Sequence, residues 1–168
     1  MPTPKQRYLK DLNRAGFVAD SAQAQAVEHL EGLHQRLTAL HSRPAAGLLG
    51  GLLQKFAKSP LKPELGLYLW GGVGRGKTYL MDNFYESLPF EQKMRVHFHR
   101  FMRRVHEDLK QVKGQQDPLL KVADKIAGET TVICFDEFFV SDITDAMILG
   151  LLLEALFARG VCLVATSN

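Results

Sequence analysis

Cysteine is scarce. The 168-residue chain has two, Cys134 and Cys162, which excludes a scaffold built on disulfides. Each lies inside an apolar run, so both read as small buried hydrophobes of a reducing compartment. Long hydrophobic runs are also missing. The longest, Ala146 to Phe157, is interrupted by Glu154 and is too short to span a bilayer. Met1 to Lys10 holds no apolar stretch of the length a secretory signal needs, and the start is neither Ser-rich nor acid-free as a mitochondrial presequence is. A cytoplasmic location is the expectation. Charge of one sign is lacking too: 21 Lys and Arg against 18 Asp and Glu leave a formal charge of +3. So small an excess does not by itself argue for nucleic acid.

What is present suits one packed domain with a small addition. Residues 1–42 read as helical. Asp20 is placed to cap a helix, and Gln23 completes a capping-box pattern. Val27, Leu30, Leu33, Leu37 and Leu40 recur at spacings of three and four, one apolar stripe for packing on a core or a partner. Residues 43–64 break the pattern with Pro44, Pro60 and Pro63 and with Gly47, Gly50 and Gly51. Inside this connection, Leu48, Leu49, Leu52, Leu53 and Phe56 with Lys55 and Lys58 make a short basic amphipathic segment. It suits a linker docked on its own protein, or a membrane or partner contact.

From Leu65 the punctuation is regular. Strands are predicted at Leu65–Trp70, Arg95–His99, Thr131–Phe135 and Val161–Thr166. Helices are predicted at Lys77–Leu88, Phe101–Val112, Pro118 to about Gly128 with Asp117 as cap, and Asp142–Arg159 closed by Gly160. Apolar strands alternating with helices predict an α/β fold, a parallel sheet covered on both faces.

Gly71, Gly72, Val73, Gly74, Arg75, Gly76, Lys77 and Thr78 fit G-x-x-x-x-G-K-[ST], after a strand and opening a helix. Glycines let the backbone wrap phosphates with its N–H groups turned inward, and the helix N-terminus favours the same anion. Lys77 suits the β- and γ-phosphates of ATP, and the Thr78 hydroxyl suits Mg2+. Val132 to Phe135 then runs into two acids at the carboxyl edge of a buried strand, where ligands of open α/β sheets collect. Asp136 suits a hold on Mg2+, and Glu137 suits the general base for an attacking water. Asn168 closes the last strand with an amide placed to orient that water, although a plain strand-to-turn ending has the same composition.

A P-loop, an acid pair and a polar strand end, in this order, resemble the Walker A, Walker B and sensor 1 of AAA+ proteins. Leu67 to Thr78, Arg95 to Met102 and Cys134 to Met147 are similar to the ZapE family of cell-division ATPases and its mitochondrial relatives. The resemblance runs from about Tyr8 to Asn168. It implies a P-loop AAA+ core over residues 65–168, with residues 1–64 as a helical segment and linker. It also implies ATP hydrolysis, homo-oligomers, and a role at the division ring through the tubulin-like FtsZ. Its sheet order places the Val161 strand between the strands that carry Gly71 and Asp136. The family pattern continues with a strand, an arginine finger, a lid and a second sensor, whereas this sequence stops at Asn168. The expectation is a truncated ATPase with an exposed sheet edge and poor turnover by itself. A helicase-loader-type switch on nucleic acid, and an ATP-binding interaction module without turnover, are the competing functions. Asp136 to Met147 favours the first function over a loader.

Weaker features remain. His97 and His99, alternating on a strand, are expected to face one side about 7 Å apart, without a third metal ligand. Arg100, Arg103, Arg104 and Lys110 give one helix a basic face, toward a neighbouring subunit or toward solvent. Asp142 and Asp145 read as a helix cap and a first-turn acid, in preference to acids presented to a neighbouring active site. Arg159 reads as a charge at a helix C-terminus and not as the finger.

Overall fold

A computed structural model describes residues 1–42, 66–70 and 76–167. The connection at 43–64, with its amphipathic segment, lies outside the described residues. Helices α1 (Pro4–Leu12) and α2 (Ser21–Ser42) precede β1 (Gly66–Trp70), α3 (Lys77–Ser87), β2 (Lys93–His97) and α4 (Phe98–Gln111). There follow α5 (Pro118–Glu129), β3 (Val132–Asp136), α6 (Ile143–Ala158) and β4 (Cys162–Ser167). The strands form one parallel sheet in the order β1-β4-β3-β2, so β4 is inserted between β1 and β3 as expected.

The inner strands β3 and β4 are largely apolar because each sheet face meets a helical layer there, whereas the edge strand β2 carries Lys93, Arg95 and His97. Val132, Cys134, Cys162 and Val164 pack with Leu80, Met81 and Phe84 of α3 and with the α2 stripe. Ile133, Phe135 and Ala165 lie on the other face with Phe101, Val105, Ile126 and Leu152 of α4, α5 and α6. Asp136 has the parity of Cys134 and so extends from the face that meets α3.

Local signals account for most element ends. Asp20 caps α2 by accepting from the Ala22 amide at 2.8 Å. Gln23 does not close the expected box; its amide lies beside Gly76 instead. The capping box is on α1, where Thr3 Oγ1 accepts from the Gln6 amide and Gln6 Oε1 accepts from the Thr3 amide. Val27, Leu30, Leu33 and Leu37 are buried, but Leu40 is 37% exposed. His41, also exposed, stacks on Phe90 with Nε2 2.7 Å from the Thr131 hydroxyl. Asp142 caps α6 by accepting from the Asp145 amide, and Gly160 follows α6 at φ +80°. Arg159 ends α6 and pairs with Asp124 at 2.6 Å.

Two further expectations are corrected. Asp117 precedes α5 but makes no side-chain cap; it sits at φ 48° while its carbonyl accepts from the Leu120 and Lys121 amides. A short acid tolerates this left-handed conformation, which turns the chain into Pro118. The second strand starts earlier and ends at His97, with His99 already in α4. His97 is paired with Asp136, the last residue of β3, so a longer β2 has no partner backbone. The two imidazoles do not share a strand face, and their centroids are 5.9 Å apart.

Gly66 opens β1 at φ +117°, and a Cβ there would lie 1.5 Å from the Leu163 carbonyl oxygen. Since that atom is the backbone of a paired strand, nothing can move aside. Gly66→Ala is expected to destabilise the fold by about 3 kcal/mol or more, and chemical denaturation against the parent chain measures it.

Candidate active site

The parallel sheet places the ends of β1, β4 and β3 at one edge, and α3 starts from that edge. Gly76 occupies the N-cap of α3 at φ +71° and ψ 24°, left-handed backbone that favours glycine. A Cβ on Gly76 would come within 2.4 Å of Gln23 Nε2. Lys77, the first helical residue, sends Nζ across the edge to donate to the Ser167 carbonyl at 2.7 Å. Thr78 follows on the first turn and is exposed. Gly71, Gly72, Val73, Gly74, Arg75 and Asn168 lie outside the described residues.

Asp136 ends β3 with a side chain 16% exposed. It is gripped by Arg95 of β2, whose Nε donates to Oδ2 at 2.8 Å and whose Nη2 donates to Oδ1 at 3.2 Å. Arg95 Nη1 donates to Asp82 Oδ1 on α3. Burial works against the Arg95 charge, yet the Asp136 and Asp82 carboxylates outweigh it and hold the guanidinium pKa above its ordinary value. Glu137 is exposed and stands at φ 53°, an uncommon conformation for a glutamate. The following residue ties the turn down, because the Phe138 amide donates to the Thr166 carbonyl at 2.8 Å. The acid pair therefore leaves β3 as two unlike groups, one half-buried and clamped, the other exposed on a left-handed turn.

Neither Arg95, Asp82 nor Gln23 was identifiable as a site residue from a motif. The available signal was Arg95 itself, a charge flanked by Met94 and Val96 in a strand covered on both faces. Of the basic residues of α4, Arg104 is spent on Asp108 and Glu129, and Lys110 on Glu107. The Cys134 thiol pKa is pushed up, first by burial and then by Cys162, so it is no nucleophile.

These residues fit a nucleotide with Mg2+. Each Asp136 oxygen, with one bond from Arg95, keeps a further lone pair for a water-mediated contact. Among the described residues no group of three or more His, Cys, Asp or Glu is arranged to hold a metal. Magnesium does not need one, since it retains waters and takes phosphate oxygens. Among the same residues no helix is long and apolar enough to cross a membrane.

The family model of the AFG1-like ATPases matches residues 2–168. The chain is 55% identical over 173 residues to the cell division protein ZapE of Escherichia coli K12, covering 99% of this chain and 46% of that protein. It is 47% identical over 126 residues to lactation elevated protein 1 homolog B of Danio rerio, covering 68% of this chain and 25% of that one. The chain thus spans less than half the length of these relatives. AMPPCP-bound DnaA from Aquifex aeolicus superimposes with a TM-score of 0.57 at 14% identity, over 90% of this chain and 40% of DnaA. DnaI gives 0.54 at 20% identity, over 90% of this chain and 69% of DnaI. At such identities the structures speak for the fold alone, a parallel α/β sheet flanked by helices.

Gly76 yields a graded test. Gly76→Ala meets both the left-handed backbone and Gln23, whereas Gly76→Ala with Gln23→Ala meets only the backbone. The single variant is expected to lose more nucleotide affinity than the double, which retains a loss equivalent to about 1–2 kcal/mol. Titration calorimetry with an ATP analogue separates the two contributions.

Proposed function

The chain belongs to the AFG1-like ATPase family, and on that premise we propose that it binds ATP with Mg2+ and carries the hydrolytic centre of a cell-division ATPase. In this proposal residues 65–168 are the nucleotide-binding core and residues 1–64 a helical segment and linker. The observation that supports it most is the 2.7 Å bond from Lys77 Nζ to the end of β4. It shows that the lysine reaches the strand beside the one that ends on Asp136 and Glu137. A phosphate chain bound at the start of α3 would therefore lie within reach of both acids.

The backbone of Gly71 to Gly76 would donate to the phosphates, and Lys77 would exchange the Ser167 carbonyl for the β- and γ-phosphate oxygens. Thr78 would ligate Mg2+ and Asp136 would hold it through water. The ion, when bound, neutralises phosphate charge. Glu137, exposed and without the guanidinium that occupies Asp136, is the acid suited to take a proton from water. Asn168 would orient that water.

By resemblance, the macromolecular target is FtsZ polymer at the division ring, handled by a homo-oligomer in the cytoplasm, and nucleic acid is not the expected partner. A helicase-loader-type switch is the second reading, drawn from the shared AAA+ fold. Co-sedimentation with FtsZ polymers against retention on single-stranded DNA over a salt series decides between them. Nucleotide-dependent pelleting with FtsZ is expected. Retention on DNA that weakens steeply with salt, without pelleting, would transfer the function to nucleic acid.

Two substitutions test the chemistry. Lys77→Ala is expected to abolish measurable ATP binding while leaving the circular dichroism spectrum unchanged. Glu137→Gln is expected to keep ATP affinity and reduce steady-state hydrolysis by about 10²–10⁴-fold, the usual worth of a general base. Undiminished turnover in Glu137→Gln would move the base to another residue, and unchanged affinity in Lys77→Ala would remove the phosphate-loop assignment.

A further inference from the structure

We propose that Arg95 is a positioning residue for the magnesium site, holding the Asp136 carboxylate and fastening it to the helix that carries Lys77 and Thr78. This rests on the reading of Asp136 as the water-mediated magnesium contact.

Three elements meet in this one side chain. Arg95 stands opposite Cys134 in the β2–β3 register, which places it on the sheet face that meets α3. Its fork grips both oxygens of Asp136 from β3, at 2.8 and 3.2 Å, and its remaining Nη1 donates to Asp82 of α3. A planar guanidinium binding both oxygens fixes the plane of a carboxylate, which a single ammonium cannot do. Arg95 is 22% exposed and Asp136 16% exposed, so their pairing is less screened than that of surface ions.

The consequence is geometric. Asp136 has two side-chain torsions, and an acid that holds magnesium through water gains affinity only if its oxygens stay in place. Arg95 removes that freedom. Through Asp82 it also ties the end of β3 to the helix whose first residue is Lys77. Asp82 and Asp136 are like charges, and the guanidinium between them is what lets α3 approach β3 at this edge.

The test is the binding of a non-hydrolysable ATP analogue, by calorimetry, with Mg2+ and again with EDTA. The ratio of the two affinities is the gain due to magnesium. Arg95→Met is expected to cut that gain by at least about tenfold, while affinity in EDTA stays within about threefold, because the phosphate loop is untouched. Arg95→Lys keeps the charge without the fork and is expected to fall between parent and Arg95→Met. Equal losses in both conditions would mean general damage, and an unchanged gain would mean that Asp136 holds itself; either overturns the proposal. If Arg95→Met does not fold, Arg95→Lys carries the comparison, and an unchanged gain there is equally fatal. Asp136→Asn separates the two levels. If it keeps the magnesium gain, the reading of Asp136 fails. If it loses the gain while Arg95→Met keeps it, the Arg95 proposal alone fails.

Discussion

The proposed phosphate edge depends on β4 being hydrogen-bonded on both sides, to β1 and to β3. With all strands parallel, that insertion brings three carboxyl ends side by side. Trp70 ends level with Ser167, and Phe135 pairs with Ala165, so Asp136 emerges alongside Thr166. The chain leaves β1 on the way to α3 and leaves β3 through the acid pair. Lys77 finds the Ser167 carbonyl because β4 fills the gap between them. The inserted strand is narrow where α3 crosses: Cys162 and Val164 are flanked by Cys134, which leaves room for Met81 and Phe84. Gly66 makes the same insertion possible at the other end, where the backbone of β4 comes too close for any side chain.

The N-terminal helices form a wall of the core that supports α3. Tyr8, Val27, Leu30, Leu33 and Leu37 share a cluster with Leu80, Met81 and Phe84. Polar contacts hold α3 along its length. Tyr79 donates to Asp11 at 2.6 Å, Arg7 pairs with Glu86 at 3.0 Å, and His34 meets the Ser87 carbonyl at 3.0 Å. Burial, followed by the bond to Asp11, pushes the Tyr79 phenol pKa up to about 12, so it stays a neutral donor. Gln23 against Gly76 brings this wall to the last glycine of the loop. The N-terminal helices are therefore in packed contact with the start of α3.

Element type was legible because the punctuation agreed with the periodicity, while the sheet order was implied by the family resemblance alone. Asp142 and Gly160 bracket α6 as local chemistry dictates, and four apolar runs between helices left a parallel sheet as the consistent layout. Details that depended on neighbours were not legible. Where β2 stops is set by the last residue of β3, His97 against Asp136, and local composition carries no trace of that limit. The capping residue of α2 was readable at Asp20, but the fate of Gln23 was decided by Gly76, far along the chain.

For the site, the division follows the range of the physics. Lys77, Thr78, Asp136 and Glu137 could be named from sequence as candidates because the signals for them are short-range: glycines before a helix, acids after a buried strand. That the two acids are unequal is a tertiary result. Asp136 and Glu137 are adjacent and chemically alike, and only the approach of Arg95 clamps one while a left-handed turn leaves the other exposed. A guanidinium in the second strand can meet a carboxylate in the third only after β2 and β3 are paired and α3 is laid over them. The sequence by itself therefore determined which groups are proposed to handle phosphate and water, and the tertiary structure decided which carboxylate is held still and by what. Local chemistry sets the identity of a charged group, whereas its orientation is set by charges brought to it from distant parts of the chain.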